Sequence, residues 1–266
     1  MAEAKMPFVS HLEELRRRLI ISLIAIGVGF VLSFNYSETV LALLKRTLTT
    51  TTFTFQWTSP YLVSVPRQAP ELVFLAPAEA FWAHLKLGFL TGLLIALPIV
   101  LYEIWKFVAP GLLKRERRFA LPFLFLSVVF FLGGVAFCYL VVLPFAMNFL
   151  LTYKTEGLRP MLSVGQFIDF SVKFLLAFGV IFQLPLAIAV GAAANLVSAK
   201  FLARNRKYAI LVNFAIAAIL TPTPDVFNQT LMAVPLTLLY EVGILAARLI
   251  EKARRKAPVT EAAGEA

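Results

Sequence analysis

Over most of this chain apolar residues neither alternate at strand period nor recur at amphipathic-helix spacing. They run in uninterrupted blocks separated by short polar or basic patches. The blocks near Leu19 to Tyr36, Leu87 to Val108 and Phe174 to Val197 each reach the ~18 residues that a bilayer-crossing helix requires. From Phe119 to Tyr153 no charged residue occurs, a run of roughly 50 Å if helical. That is too long for one upright crossing and too short for two with a turn. It predicts a single tilted third helix projecting beyond the bilayer, with Pro144 as the site of a kink. Two further blocks differ. Tyr208 to Leu220 is barely half the usual length, and Val226 to Ala247 is interrupted by Asn228, Gln229 and Glu241. Pro222, Thr223, Pro224 and Asp225 predict a tight turn between them.

The pattern therefore predicts an all-α polytopic membrane protein: six transmembrane helices in a concave bundle, the last two short. A transmembrane β-barrel is excluded by the missing period-2 alternation, and irregular backbone cannot face hydrocarbon. Composition agrees: of 266 residues 60% are hydrophobic and 15% charged, with a mean hydropathy of +0.82, too apolar for a water-facing domain. The expected division is one six-helix domain over 1–250, opening with an N-terminal amphipathic helix, and a basic, then disordered tail over 251–266. No cleavage pattern follows the first apolar block, so that helix is expected to remain in the mature protein.

The net charge of +10 does not point to nucleic acid, because the cations flank apolar blocks instead of covering one soluble face. Arg16, Arg17 and Arg18 precede span one. Lys106, Lys114, Arg115, Arg117 and Arg118 lie around the loop between spans two and three. Lys200, Arg204, Arg206 and Lys207 lie between spans four and five, and Arg248, Lys252, Arg254, Arg255 and Lys256 in the tail. The alternate loops are poorer in lysine and arginine, which predicts that both termini are cytoplasmic, in agreement with an even span count. The segment Thr47 to Val73, with its threonines, prolines and aromatics, reads as an ordered outer cap.

Candidate chemistry is sparse. No phosphate-cradling loop, zinc-binding helix or nucleophile elbow occurs, His11 and His84 are the only histidines, and Cys138 is the only cysteine. No metal site, cofactor or catalytic group is expected. Ser10 and Glu13 form a capping box, and Phe8, Leu12, Leu15 and Leu19 trace an apolar stripe, predicting an amphipathic helix along the inner membrane surface. Glu13 can pair with Arg17, and Glu14 with Arg17 or Arg18. Glu116 stands among Lys114, Arg115, Arg117 and Arg118. Glu14 and Glu116 read either as charge relief or as a pair of carboxylates that receives guanidinium groups from another chain. Glu103 and Glu241, near the ends of spans two and six, are functional candidates because charge in a membrane is expensive, with interface anchoring as the plainer reading. Asp225 reads as a turn former and cap.

His11-Leu12-x-Glu14-Leu15-Arg16, then Phe107-Val108-Ala109-Pro110-Gly111-Leu112 followed by Glu116-Arg117-Arg118, resembles the TatC family of twin-arginine translocases. Ala76-Pro77-Ala78-Glu79-Ala80-Phe81, Phe178-Gly179-Val180-x-Phe182-Gln183-x-Pro185 and Leu220-Thr221-Pro222-x-Pro224-Asp225-x-Phe227-x-Gln229-Thr230 agree, so the similarity runs in order over about residues 8–250. The resemblance implies that Glu14 and Glu116 recognise the paired arginines of export signals, with Arg16, Phe107, Arg118 and His11 shaping the site. It further implies single-span partner subunits of the TatA and TatB type, further copies of the chain itself, residence in the bacterial cytoplasmic membrane and energy from the proton gradient. Two departures stand out: Gln183 where the family often has glutamate, and no proline near Leu44. Gln183 keeps hydrogen bonding without titration, and reads either as a helix-to-helix bond or as part of a docking site for partners. A proton-coupled small-solute transporter is the alternative, weakened by the absence of repeated halves.

Overall fold

A computed structural model of the chain describes residues 8–49, 52–55, 62–65, 70–108, 120–152, 161–221 and 225–255. The described residues are mostly helical, and five helical stretches among them are long and apolar enough to cross a membrane: Leu12–Phe34, Glu79–Phe107, Pro122–Leu151, Val164–Ala193 and Val226–Lys252. Two compact units are distinguished, Met1–Val108 with Val135–Leu176, and Ala109–Gly134 with Ala177–Ala266.

In the first unit, α1 (Phe8–Phe34) is one continuous helix of 27 residues. The amphipathic segment forms its opening turns and not a separate surface helix, because neither proline nor glycine interrupts the chain before Gly27. The apolar side chains Leu19, Leu23, Ile24, Val28, Val31 and Leu32 are exposed, whereas Gly29 and Ser33 are buried. This inside-out distribution suits a helix whose outer solvent is lipid and whose packed face is lined by small residues. α2 (Ser37–Thr49) follows, burying Leu44, Thr47 and Leu48.

The segment between α2 and the next long helix contains β1 (Thr52–Phe55) paired antiparallel with β2 (Leu62–Val65), Thr52 opposite Val65. β3 (Leu72–Val73) pairs in parallel with β4 (Leu162–Ser163). The expected cap thus has regular structure where it is described.

α3 (Glu79–Val108) packs against α1 more extensively than any other two elements pack together. Three contacts set their register. Arg18 bonds Glu103 at 3.0 Å, Gly29 lies against Gly92, and the Ser33 hydroxyl donates to the Gly88 carbonyl at 2.9 Å. Positions rise along α1 as they fall along α3 by equal steps, so the helices are antiparallel. A Cβ on Gly92 would stand 2.5 Å from the Phe30 nitrogen and 2.6 Å from its Cα. Only glycine permits backbones this close.

The long uncharged run forms α4 (Ala120–Phe137), a π-helical turn at Cys138–Val142 and α5 (Leu143–Thr152). The Leu143 N–H reaches back to the Cys138 carbonyl, and Pro144, one residue on, has no N–H to restore the α pattern, which accounts for the widened turn just before it. α6 (Val164–Ile181) begins ten residues before the expected Phe174. The polar residues that hid this stretch are accommodated: Asp169 pairs with Lys86 of α3 at 2.5 Å. Glu79, at the start of α3, ties the segment before that helix to the start of α6. Its carboxylate accepts from the Ser163 hydroxyl, from the Gly165 N–H at 2.8 Å and from the Leu75 N–H at 2.6 Å.

In the second unit, α6 gives way at Phe182 and Gln183 to α7 (Leu184–Ala193), with Pro185 in its first turn. α8 (Ala199–Arg204), α9 (Arg206–Leu220) and α10 (Val226–Arg255) follow. Ile188, Ala192, Ala199, Leu202, Ile244 and Ala247 form a core shared by α7, α8 and α10. α9 has 15 residues, but α10 has 30. The final helix is therefore not short; helix formation continues past the apolar block through Arg248, Lys252 and Arg255, good helix formers that can extend beyond the bilayer.

Candidate functional site

The charged groups gathered in the first unit lie where the N-terminal part of α1 meets the C-terminal part of α3. Arg18 is their centre. Its Nε donates to Glu14 Oε1 at 3.1 Å and its Nη2 to the same oxygen, while its Nη1 donates to Glu103 Oε2 at 3.0 Å. Lys106 Nζ lies 4.0 Å from the other Glu103 oxygen. Spacing by four residues places Glu14 and Arg18 one above the other on α1, and the antiparallel register brings Glu103 opposite. The side chains of Glu14, Arg18 and Glu103 are 21%, 19% and 8% exposed.

A cleft of about 470 Å³ opens on this group, lined by three carboxylates (Glu13, Glu14, Glu103), three cations (Arg17, Arg18, Lys106) and Ile21. Formal charge balances. Away from bulk water each contact is stronger, and an unpaired carboxylate more costly, than on an open surface. Glu14 leaves Oε2 without a partner among the described residues. The site can thus hold planar guanidinium groups by charge-assisted bonds, with further acceptor capacity in reserve.

The expected site residues divide as follows. Arg16 is exposed on α1, Phe107 is half-buried one turn after Glu103, and His11 is placed by its backbone in α1. Glu116, Arg118, Pro222 and Pro224 lie outside the described residues. Glu103 is buried and paired with Arg18. Glu241 is half-exposed in the other unit and holds Arg206 through both oxygens at 2.7 Å. Gln183 donates through Nε2 to the Ser127 carbonyl at 2.9 Å, a helix-to-helix bond. Asp225 stands just before α10 and accepts from the Asn228 N–H at 2.7 Å and the Asn228 amide at 2.8 Å, the arrangement of a helix cap. The Arg18–Glu103 pair escaped sequence reasoning. Its signal was a buried acid near the end of span two and a surplus cation near the start of span one, on the same side of an antiparallel pair.

The family model for TatC, the Sec-independent protein translocase protein, matches residues 10–235. The chain belongs to the TatC family. It is 42% identical over 250 residues to the TatC protein of Desulforapulum autotrophicum, covering 94% of this chain and 87% of that one. With the TatC protein of Aquifex aeolicus it shares 38% identity over 253 residues, 94% and 98% of the two chains. A crystal structure of a twin-arginine translocase receptor, TatC, superposes with a TM-score of 0.75 at 36% identity, covering 91% of this chain and 99% of that one. TatC family membership makes the chain a membrane-embedded component of a protein translocase and not an enzyme. It also removes the ground for the solute-transporter alternative.

Proposed function

We propose that this chain is the receptor of the twin-arginine export system, binding the signal peptides of folded cargo at the cytoplasmic face. The observation that carries the reading is Glu14: half-buried in a cleft, its carboxylate already grips a guanidinium and keeps one oxygen open. A guanidinium is charged at every relevant pH and offers a donor fork that an ammonium lacks, so a site built on this chemistry suits paired arginines. Glu116 supplies the second carboxylate, with Arg16, Phe107, Arg118 and His11 shaping the surroundings, as the family motif implies.

In this reading the chain crosses the bacterial cytoplasmic membrane six times with both termini inside. α9 makes the fifth crossing; at about 22 Å it is shorter than the ~30 Å hydrocarbon core and thins the bilayer locally. Single-span subunits of the TatA and TatB type, and further copies of the chain, gather around the helices, and the proton gradient drives transport. Gln183 retains its amide oxygen for a partner's donor while its nitrogen serves Ser127. Lacking a titrating group, it does not itself carry the proton. α9 and α10, together with Gln183, form the docking wall for a single-span partner that carries a polar residue in its membrane segment.

Photo-cross-linking tests the location. A twin-arginine peptide with a photoreactive residue beside its arginine pair is expected to label the full chain within segments bearing Ile21 or Lys106. Adducts confined to α10 would place recognition elsewhere.

A further inference from the structure

The carboxylate assigned to an arriving arginine is occupied by an arginine of the chain itself. This inference rests on the receptor reading above. Arg18 directs two N–H groups to one oxygen of Glu14 and a third to Glu103. The second oxygen of Glu14 has no partner among the described residues. An entering guanidinium can make a first contact there, but a two-point fork needs both oxygens. The first oxygen becomes available only when Arg18 leaves it.

We infer that Arg18 is an internal competitor that a bound signal displaces from Glu14, and that Glu103 is the positioning residue that keeps Arg18 paired during the exchange. Three observations combine here. Arg18 is largely enclosed, so release into an unpaired state is unfavourable. Glu103 is buried on α3, on the far side of Arg18 from Glu14, and holds it in the unliganded chain. Lys106, at 4.0 Å, is too distant to saturate Glu103, which therefore has capacity for a fuller grip on Arg18. The exchange conserves paired charges: Glu14 passes from Arg18 to the peptide while Arg18 consolidates on Glu103. Glu103 need not touch the signal to raise its affinity.

Two arrangements make different predictions about coupling. If Glu103 acts through Arg18, Glu103→Gln matters only while Arg18 is present. If Glu103 binds the signal directly or merely supports the fold, the substitution matters in either background. The measurement is the Kd of a labelled twin-arginine peptide for the full-length chain in nanodiscs, with four variants: Glu103→Gln, Arg18→Gln, Arg18→Lys and the Arg18→Gln/Glu103→Gln double variant.

Glu103→Gln is expected to weaken binding by about fivefold or more, and to change it by less than about twofold when Arg18 is already glutamine. Arg18→Gln is expected to tighten binding. Arg18→Lys separates competition from simple charge, since it keeps the cation but loses the fork; it too should tighten binding, by a smaller factor. Equal weakening by Glu103→Gln in both backgrounds overturns the inference, as does an Arg18→Lys chain that binds no more tightly than the native one. An unaltered Kd in Glu14→Gln would instead remove the receptor site itself, a separate failure. Should Arg18→Gln fail to insert stably, Arg18→Met with and without Glu103→Gln gives the same comparison, since it too removes the cation.

Discussion

Replacing Gly92 with alanine is expected to lower the apparent unfolding midpoint by roughly 5 °C, at 2–4 °C per kcal/mol for a chain of this size. The added methyl carbon would stand 2.5 Å from the Phe30 nitrogen and 2.9 Å from the Gly29 carbonyl carbon. These are backbone atoms of a packed helix and cannot rotate away, so α1 and α3 must separate. Overpacking of this kind costs about 3 kcal/mol, and the better helix propensity of alanine returns ~1 kcal/mol. Gly27→Ala is the matched control, since nothing lies within 4 Å of its added carbon; it should leave the midpoint unchanged or slightly raised. The effect reaches the site as well. Arg18 and Glu103 belong to the same helix pair in the same register, so separating the backbones loosens their contact, and Gly92→Leu should impair peptide binding along with stability.

Glu14→Gln is expected to weaken twin-arginine peptide binding by about tenfold without lowering the unfolding midpoint appreciably. A charge-assisted bond contributes about 1.5–3 kcal/mol, which corresponds to roughly 10- to 150-fold in Kd. The lower end is expected because the substitution also releases Arg18, whose removal from Glu14 no longer opposes binding. Fluorescence anisotropy on the purified chain checks the affinity, and thermal unfolding in the same detergent checks the fold. An unchanged Kd would take Glu14 out of the recognition site.

The membrane-crossing helices were largely legible because lipid imposes a simple demand: apolar length. What hydropathy could not express were polar residues whose partners lie elsewhere in the chain. Asp169 and Lys173 made the start of α6 read as loop, yet Asp169 is neutralised by Lys86 from α3. Glu103 read as an interface anchor because its partner, Arg18, lies 85 positions away. α2 was hidden for a different reason: Ser37, Thr47 and Thr49 resemble cap or turn residues, and its buried stripe of Leu44 and Leu48 is too short to register against the surrounding apolar blocks. The paired strands β1 to β4 are two to four residues long, below the length at which alternation is recognisable.

The candidate site was half legible. Helical spacing offered Glu14 either Arg17 or Arg18, of which the fold selects Arg18, and the family motif marked Glu14 as a candidate acceptor. The third member, Glu103, required the antiparallel register of α1 and α3. That register depends on Gly29 and Gly92, two glycines that no periodicity singles out. For Gln183 the sequence offered an amide but not its partner; the Ser127 carbonyl, 56 positions away, is visible only in the fold.

The most direct test of the receptor reading is the affinity of the purified full-length chain for two signal peptides that differ only in having paired arginines or paired lysines. Charge is the same in both, so only the guanidinium fork distinguishes them. The arginine peptide is expected to bind at least about tenfold more tightly, one charge-assisted bond's worth at its lower limit, and Glu14→Gln to reduce this preference. Equal affinity for both peptides would contradict the receptor reading.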